Sequence, residues 1–203
     1  MTIQLENIGK KFRNEWIFRK LSYRFESGKS YAITGANGSG KSTLLQVVSG
    51  SLPANEGKIE YNNGKPLSID LWYKEMSFAA PYMELVEELS LGEFLEFHTK
   101  FKPLYGLDKN QFLNKVYLEE HRDKPVKQFS SGMKQRLKLG LAFFTHNSVL
   151  FLDEPTTNLD EKGIRWYLDQ VSQAKKSKLV LISSNDQKEY QFCDETLDIT
   201  AFK

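Results

Sequence analysis

Eight residues, Gly35-Ala36-Asn37-Gly38-Ser39-Gly40-Lys41-Ser42, have the types and spacing to hold a phosphate. They read G-x-x-x-x-G-K-S. The glycines let backbone N–H groups turn inward around an anion with no side chain in the way. Thr43 carries the chain on into a predicted helix, whose N-terminus adds partial positive charge. Lys41 is then placed to neutralise the outer phosphates of a nucleotide, and Ser42 to offer its hydroxyl to Mg2+. A second group follows far along the chain, where Val149-Leu150-Phe151-Leu152 runs into Asp153-Glu154. Four large apolar residues ending in two carboxylates read as a central parallel strand with its C-terminal end at an active site.

The surrounding segments supply the elements that must position these groups. Thr2 to Ile8 and Phe18 to Phe25 read as strands, the first with Ile3, Leu5 and Ile8 inward, the second with Leu21, Tyr23 and Phe25 on one face. A turn at Glu26-Ser27-Gly28-Lys29 leads into a short buried strand, Tyr31 to Thr34, that feeds the glycine-rich loop. Gly57 to Tyr61 and Glu75 to Ala79 read as further strands. From about residue 82 to 147 the pattern turns helical: Leu91, Phe94, Leu95 and Phe97 fall at helical spacing, Asp108 caps a helix with Phe112, Leu113, Val116 and Tyr117, and Ser130-Ser131-Gly132 opens a longer one. A helix from about Glu161, a buried strand at Leu179 to Ile182 and an edge strand from Glu195 to Thr200 complete the pattern. The expected fold class is α/β: a phosphate-loop core with a mostly parallel sheet, an N-terminal antiparallel β patch and an inserted helical subdomain, all in one domain over 1–203.

Composition bounds the partners. The chain has 203 residues and a formal net charge of +2, with no long basic run, so nothing in it asks for nucleic acid or an acidic membrane surface. One cysteine, Cys193, excludes an internal disulfide, fits a reducing compartment and reads as a small apolar filler. No signal peptide opens the chain and no apolar run is long enough to span a bilayer. The three histidines, His98, His121 and His146, read as surface or packing residues.

Five motifs in order resemble the ABC-type ATPase domain. They are the phosphate loop, Ser130-Ser131-Gly132-Met133-Lys134-Gln135-Arg136, Val149 to Glu154, Thr157-Asn158-Leu159-Asp160, and Ile182-Ser183-Ser184-Asn185-Asp186. The resemblance implies ATP and Mg2+ as cofactors. Loop residues Gly35 to Thr43 would cradle the phosphates; Asp153 would hold Mg2+ through water, with Ser42, and Glu154 would polarise the attacking water. Phe12 matches the aromatic position that stacks on adenine, with core packing as its plainer alternative. Ser130, Ser131, Gly132 and Met133 would face the ATP of a second copy, and Asp160 would lie at the junction of a head-to-tail dimer, homodimer or heterodimer. The family fold also implies a transmembrane permease subunit docking near Pro81 to Glu88, where an aromatic and acidic lip either receives a short basic helix or is simply a solvated acidic helix start. The expected setting is cytoplasmic, on the inner face of the cell membrane through that partner. The short stretch after Asn185 leans towards export.

The sequence departs from the family pattern at four places. The signature reads Phe129-Ser130-Ser131-Gly132-Met133 rather than Leu-Ser-Gly-Gly-Gln, so Ser131 replaces a glycine, at a price in backbone strain or with a hydroxyl near phosphate, and Met133 removes an amide. The glutamine that meets Mg2+ and water is replaced by Pro81, with no glutamine between Gln46 and Gln111; a water or Glu84 would fill in. The switch histidine is replaced by Asn185, which donates a hydrogen bond and carries no charge. These departures, with Glu154 retained, imply an ATPase that drives a transporter yet turns over slowly in isolation. The alternative is an ATP-gated dimerising clamp with little hydrolysis.

Overall fold

A computed structural model describes residues 1–203. The strands are β1 (Thr2–Phe12), β2 (Glu15–Glu26), β3 (Ser30–Thr34), β4 (Glu56–Asn62), β5 (Pro66–Leu67), β6 (Met76–Ala79), β7 (Val149–Asp153), β8 (Leu179–Ser183) and β9 (Glu195–Asp198). The helices are α1 (Lys41–Val48), α2 (Ile69–Glu75), α3 (Leu91–Phe101), α4 (Lys109–Lys115), α5 (Ser131–Phe144), α6 (Glu161–Ala174) and α7 (Gln187–Tyr190). An antiparallel sheet has the order β2-β1-β4-β5, and a second sheet, parallel at every pairing, has the order β6-β7-β8-β3-β9.

The alternation of side chains along β7 and β8 builds two cores, one on each face of the parallel sheet. Val149, Phe151, Leu179 and Leu181 point to the face shared with α1 and the antiparallel sheet. Leu150, Leu152, Val180 and Ile182 point to the face covered by α3 to α6. Strand, loop and helix are thereby held from both sides at the C-terminal edge of β3 and β7, where open α/β sheets place their ligands.

Local chemistry explains the boundaries. Ser90 and Glu93 form a reciprocal capping box at the start of α3, and Asp108 and Gln111 do the same for α4. In β1 the inward positions jump from Leu5 to Ile8 because the register shifts there and Asn7 takes a positive φ of 49°. Lys20, with φ 56°, lets Phe18 join Leu21 and Phe25 in the core. The edge strand β9 stops at Asp198 and gives way to a 3-10 turn over Ile199–Phe202, because the Asp198 carboxylate accepts from the Thr200 backbone N–H. Helix α2 escapes periodicity: only Trp72 is buried in it, its indole N–H donating to the Ser49 carbonyl at 2.8 Å and its ring stacking on Tyr61 at 4.0 Å. The expected acidic helix start at Pro81 to Glu88 is not helical; Ala80 to Met83 is a turn, and α3 begins after Ser90.

Candidate functional site

The loop between β3 and α1 needs its glycines. Gly35 and Gly40 have φ 140° and 104°, and a Cβ would lie 2.6 Å from the Ser39 hydroxyl at the first and 2.3 Å from a methyl of Ile17 at the second. Gly40 caps α1 with no side-chain bond, so the first N–H groups of the helix stay free for an anion. A cleft of about 230 Å3 opens above them. It is lined by Asn37, Gly38, the run Gly40 to Thr43, Ile17 from β2, and Glu154. Lys41 is buried, and its ammonium donates to the carbonyls of Gly35 at 3.0 Å and Ala36 at 3.2 Å. That ammonium is already curled over the loop mouth, where a bound phosphate would compete for it.

The two carboxylates after β7 diverge. Asp153 is 1% exposed and neither of its oxygens has a hydrogen-bond partner. A buried, unpartnered carboxylate is costly unless a cation meets it, so this residue fits a metal. No group of three or more His, Cys, Asp or Glu gathers to hold a metal alone; the donor set suits Mg2+, which would be held by the Asp153 carboxylate and the Ser42 hydroxyl with a nucleotide's phosphates, rather than Zn2+. Glu154 leaves the ladder with φ 41° and its N–H donates to the Ser183 carbonyl at 2.8 Å. This strained turn swings its carboxylate into the cleft instead of along the strand.

Asn185 follows β8 and reaches the loop: its side-chain N–H donates to the Asn37 side-chain oxygen at 2.8 Å. The Ser130 to Met133 stretch does not line the cleft. Ser130 caps α5 by accepting from the Met133 N–H at 3.2 Å. Ser131 is the first residue of α5 and avoids the left-handed region, so replacing glycine there costs no backbone strain. Gly132 is needed for a different reason: a Cβ would stand 2.9 Å from the Asn158 carbonyl oxygen. Asp160 caps α6 by accepting from the Gly163 N–H at 2.7 Å, with Arg136 at 3.6 Å. The Phe12 ring is 47% exposed at the end of β1, with the Lys10 ammonium 5.2 Å from its centroid; its expected alternative of core packing does not hold.

Three participants were not legible in the sequence. Glu189, buried on α7, accepts from the Thr156 backbone N–H at 2.6 Å and from its hydroxyl, bracing the loop between Glu154 and Asp160. Burial pushes its carboxyl above the usual range. Gln46 and Tyr82 meet beside the site, the Gln46 amide donating to the Tyr82 hydroxyl at 3.0 Å. Burial, and next the nearby Asp153 charge, push the phenol well up, so it stays protonated. Glu84, the expected substitute for glutamine, instead lines a groove on the other side with Met83 and Val86. His98 packs on Phe94, and burial lowers its pKa. Cys193 packs against the helical core, and burial pushes its thiol up to about 12.

The groove beside the Pro81 to Glu88 lip has a volume of about 370 Å3. Tyr73, Met83, Val86 and Phe97 line it and are exposed. Of the lip acids, Glu87 is paired with Lys134 at 2.5 Å, while Glu84 and Glu88 face solvent. No helix is long and apolar enough to cross a membrane.

Comparisons with known proteins give the family. The family model described as ABC transporter matches residues 18–157. An uncharacterized ABC transporter ATP-binding protein, YybJ of Bacillus subtilis (strain 168), is 34% identical over 206 residues, covering 97% of this chain and 92% of that protein. The lantibiotic transport ATP-binding protein SrtF of Streptococcus pyogenes is 29% identical over 183 residues, 90% of this chain and 79% of that one. The dimeric structure of MJ0796, a bacterial ABC transporter cassette, superposes with a TM-score of 0.82 at 22% identity, covering 97% and 94% of the two chains. By the family model and the 34% identical relative, the chain belongs to the ABC transporter family, as an ATP-binding subunit whose ATP hydrolysis is coupled to transport.

Proposed function

We propose that this subunit, with residues 1–203 acting as one domain and 82–147 as its helical insertion, closes head to tail on a second cassette. ATP seated on the phosphate loop of one would face Ser130 to Met133 of the other. The observation that carries the reading is the cleft in which Glu154 lines the same space as Lys41 and Ser42. Lys41 exchanges its two loop carbonyls for phosphate oxygens. Backbone N–H groups of the loop and α1 hold the remaining charge. Asp153 and Ser42 would hold Mg2+, which when bound would neutralise charge on the outer phosphates. Glu154 orients the attacking water, and Asp160 and Asn158 lie on the loop that meets the partner. Phe12, exposed at the end of β1, offers a face to adenine.

Asn185 donates to Asn37 rather than carrying a cation, and Pro81 offers no side-chain ligand, so turnover by the isolated chain is slow. A transmembrane permease is proposed to seat an apolar ridge in the groove beside Met83 and Val86, holding the subunit on the inner face of the membrane. Reversing Glu84 and Glu88 together without loss of assembly would remove the acidic lip from this contact while leaving the groove.

ATP turnover by the purified chain, against Glu154→Gln as blank, tests the reading. Turnover above the blank supports a transport motor. Turnover equal to the blank, with ATP-dependent dimerisation, moves the assignment to an ATP-gated clamp. Failure to bind ATP refutes both.

A further inference from the structure

Pro81 removes the side chain that the family pattern uses on the metal side of the site, and the structure shows what the proline does instead. Ala80 to Met83 form a turn closed by the Met83 N–H donating to the Ala80 carbonyl at 3.2 Å. Pro81 occupies the second position of that turn, where its fixed φ is preorganised. The Lys138 ammonium donates to the Pro81 carbonyl at 2.6 Å and pins the turn to α5. The next residue, Tyr82, is thereby presented with its hydroxyl at Gln46 and beside Asp153.

The hydrogen-bond inventory at that hydroxyl is one-sided. A phenol has one O–H donor and two acceptor lone pairs. Gln46 donates to one lone pair, which leaves the O–H proton to be given away. Asp153 is buried with both oxygens unpartnered and makes no standard hydrogen bond to Tyr82 in this state. The Tyr82 O–H is thus a donor without an acceptor beside a buried carboxylate without a donor.

Resting on the ATP-site reading above, we infer that Tyr82, oriented by Gln46, replaces the missing glutamine as the residue that positions Asp153 toward the cation accompanying ATP. The proline and the tyrosine form one device: the first makes the turn and the second supplies the polar group. Tyr82 is also 52% exposed and adjoins Met83, which lines the groove.

The test compares binding of a non-hydrolysable ATP analogue with Mn2+ and with EDTA, in the full chain. Tyr82→Phe is expected to weaken binding about tenfold or more with Mn2+, the loss of one hydrogen bond to a charged group, and to leave binding in EDTA within about twofold. Gln46→Leu is expected to shift the ratio in the same direction, and the double variant to fall no further than Tyr82→Phe, because both act through one hydroxyl. Equal losses with and without Mn2+ would make Tyr82 a structural residue and overturn the inference, as would no loss in either. If Tyr82→Phe does not fold, the Gln46→Leu ratio decides alone. Wild-type chain that binds no nucleotide refutes the ATP-site reading itself.

Discussion

Gly132→Ala separates two reasons for a glycine at the start of the signature helix. At an open helical position the change would stabilise, by at most about 1 kcal/mol. Here the new methyl meets the Asn158 carbonyl oxygen at 2.9 Å, closer than a carbon and a backbone oxygen can sit. The helix cannot retreat easily, because the buried Gln135 amide donates to the Pro155 carbonyl at 2.8 Å one turn further on. The carbonyl must therefore move, and it lies on the loop that runs from Glu154 to Asp160. Forcing one methyl into a filled place costs about 1–3 kcal/mol, so the expected net is a loss of about 1 kcal/mol, or about 2–4 °C in Tm for a chain of this size. Ser131→Ala, one residue earlier and exposed, is the control and should leave stability within about 0.5 kcal/mol. Urea unfolding of both variants reads the stability, and ATP turnover reads the displacement of the Glu154 loop. A Gly132→Ala chain that gains stability and keeps its turnover would refute the close approach.

Further outcomes follow from three particular contacts. Asn185→His restores a chargeable donor opposite the loop and should raise turnover about tenfold or more, given that one aimed donor is worth about 10²–10³ in rate; an unchanged rate would mean that the bond to Asn37 already does the positioning. Glu189→Ala strands the Thr156 N–H and should cost about 2–4 kcal/mol in urea unfolding. Glu189→Gln keeps one acceptor, and because burial raises this carboxyl above 4.5, native stability falls as pH rises through the raised value, a slope the glutamine variant should lack. Asp194 behaves oppositely: the Ser30 hydroxyl and N–H, at 2.7 and 2.8 Å, hold its carboxyl below 3.8. Its contribution is complete above that ordinary value and is lost as pH falls through the lowered one, so Asp194→Asn should flatten the acid limb of the stability curve.

What could be read in the residue order and what could not divide along a physical line. Contiguous motifs carry their own geometry: the glycines before Lys41 need positive φ wherever they occur, and four apolar residues ending in two carboxylates are buried on both faces in any parallel sheet. Both were legible for that reason, as were the Ser130 and Asp108 caps, which act within three residues. Contacts between distant segments leave no such trace. Glu189 and Thr156 lie 33 residues apart, and Gln46 and Tyr82 lie 36 apart; nothing in the periodicity of either segment points at the other. Helix α2 buries one residue, so it lacks the stripe by which helices are recognised. Position 81 shows the difference most sharply. Taken as a single residue, proline is only a lost ligand. Within the turn from Ala80 to Met83 it is the residue that fixes where the next side chain points, and the polar group sought at Pro81, in a water or at Glu84, lies one position along, on Tyr82.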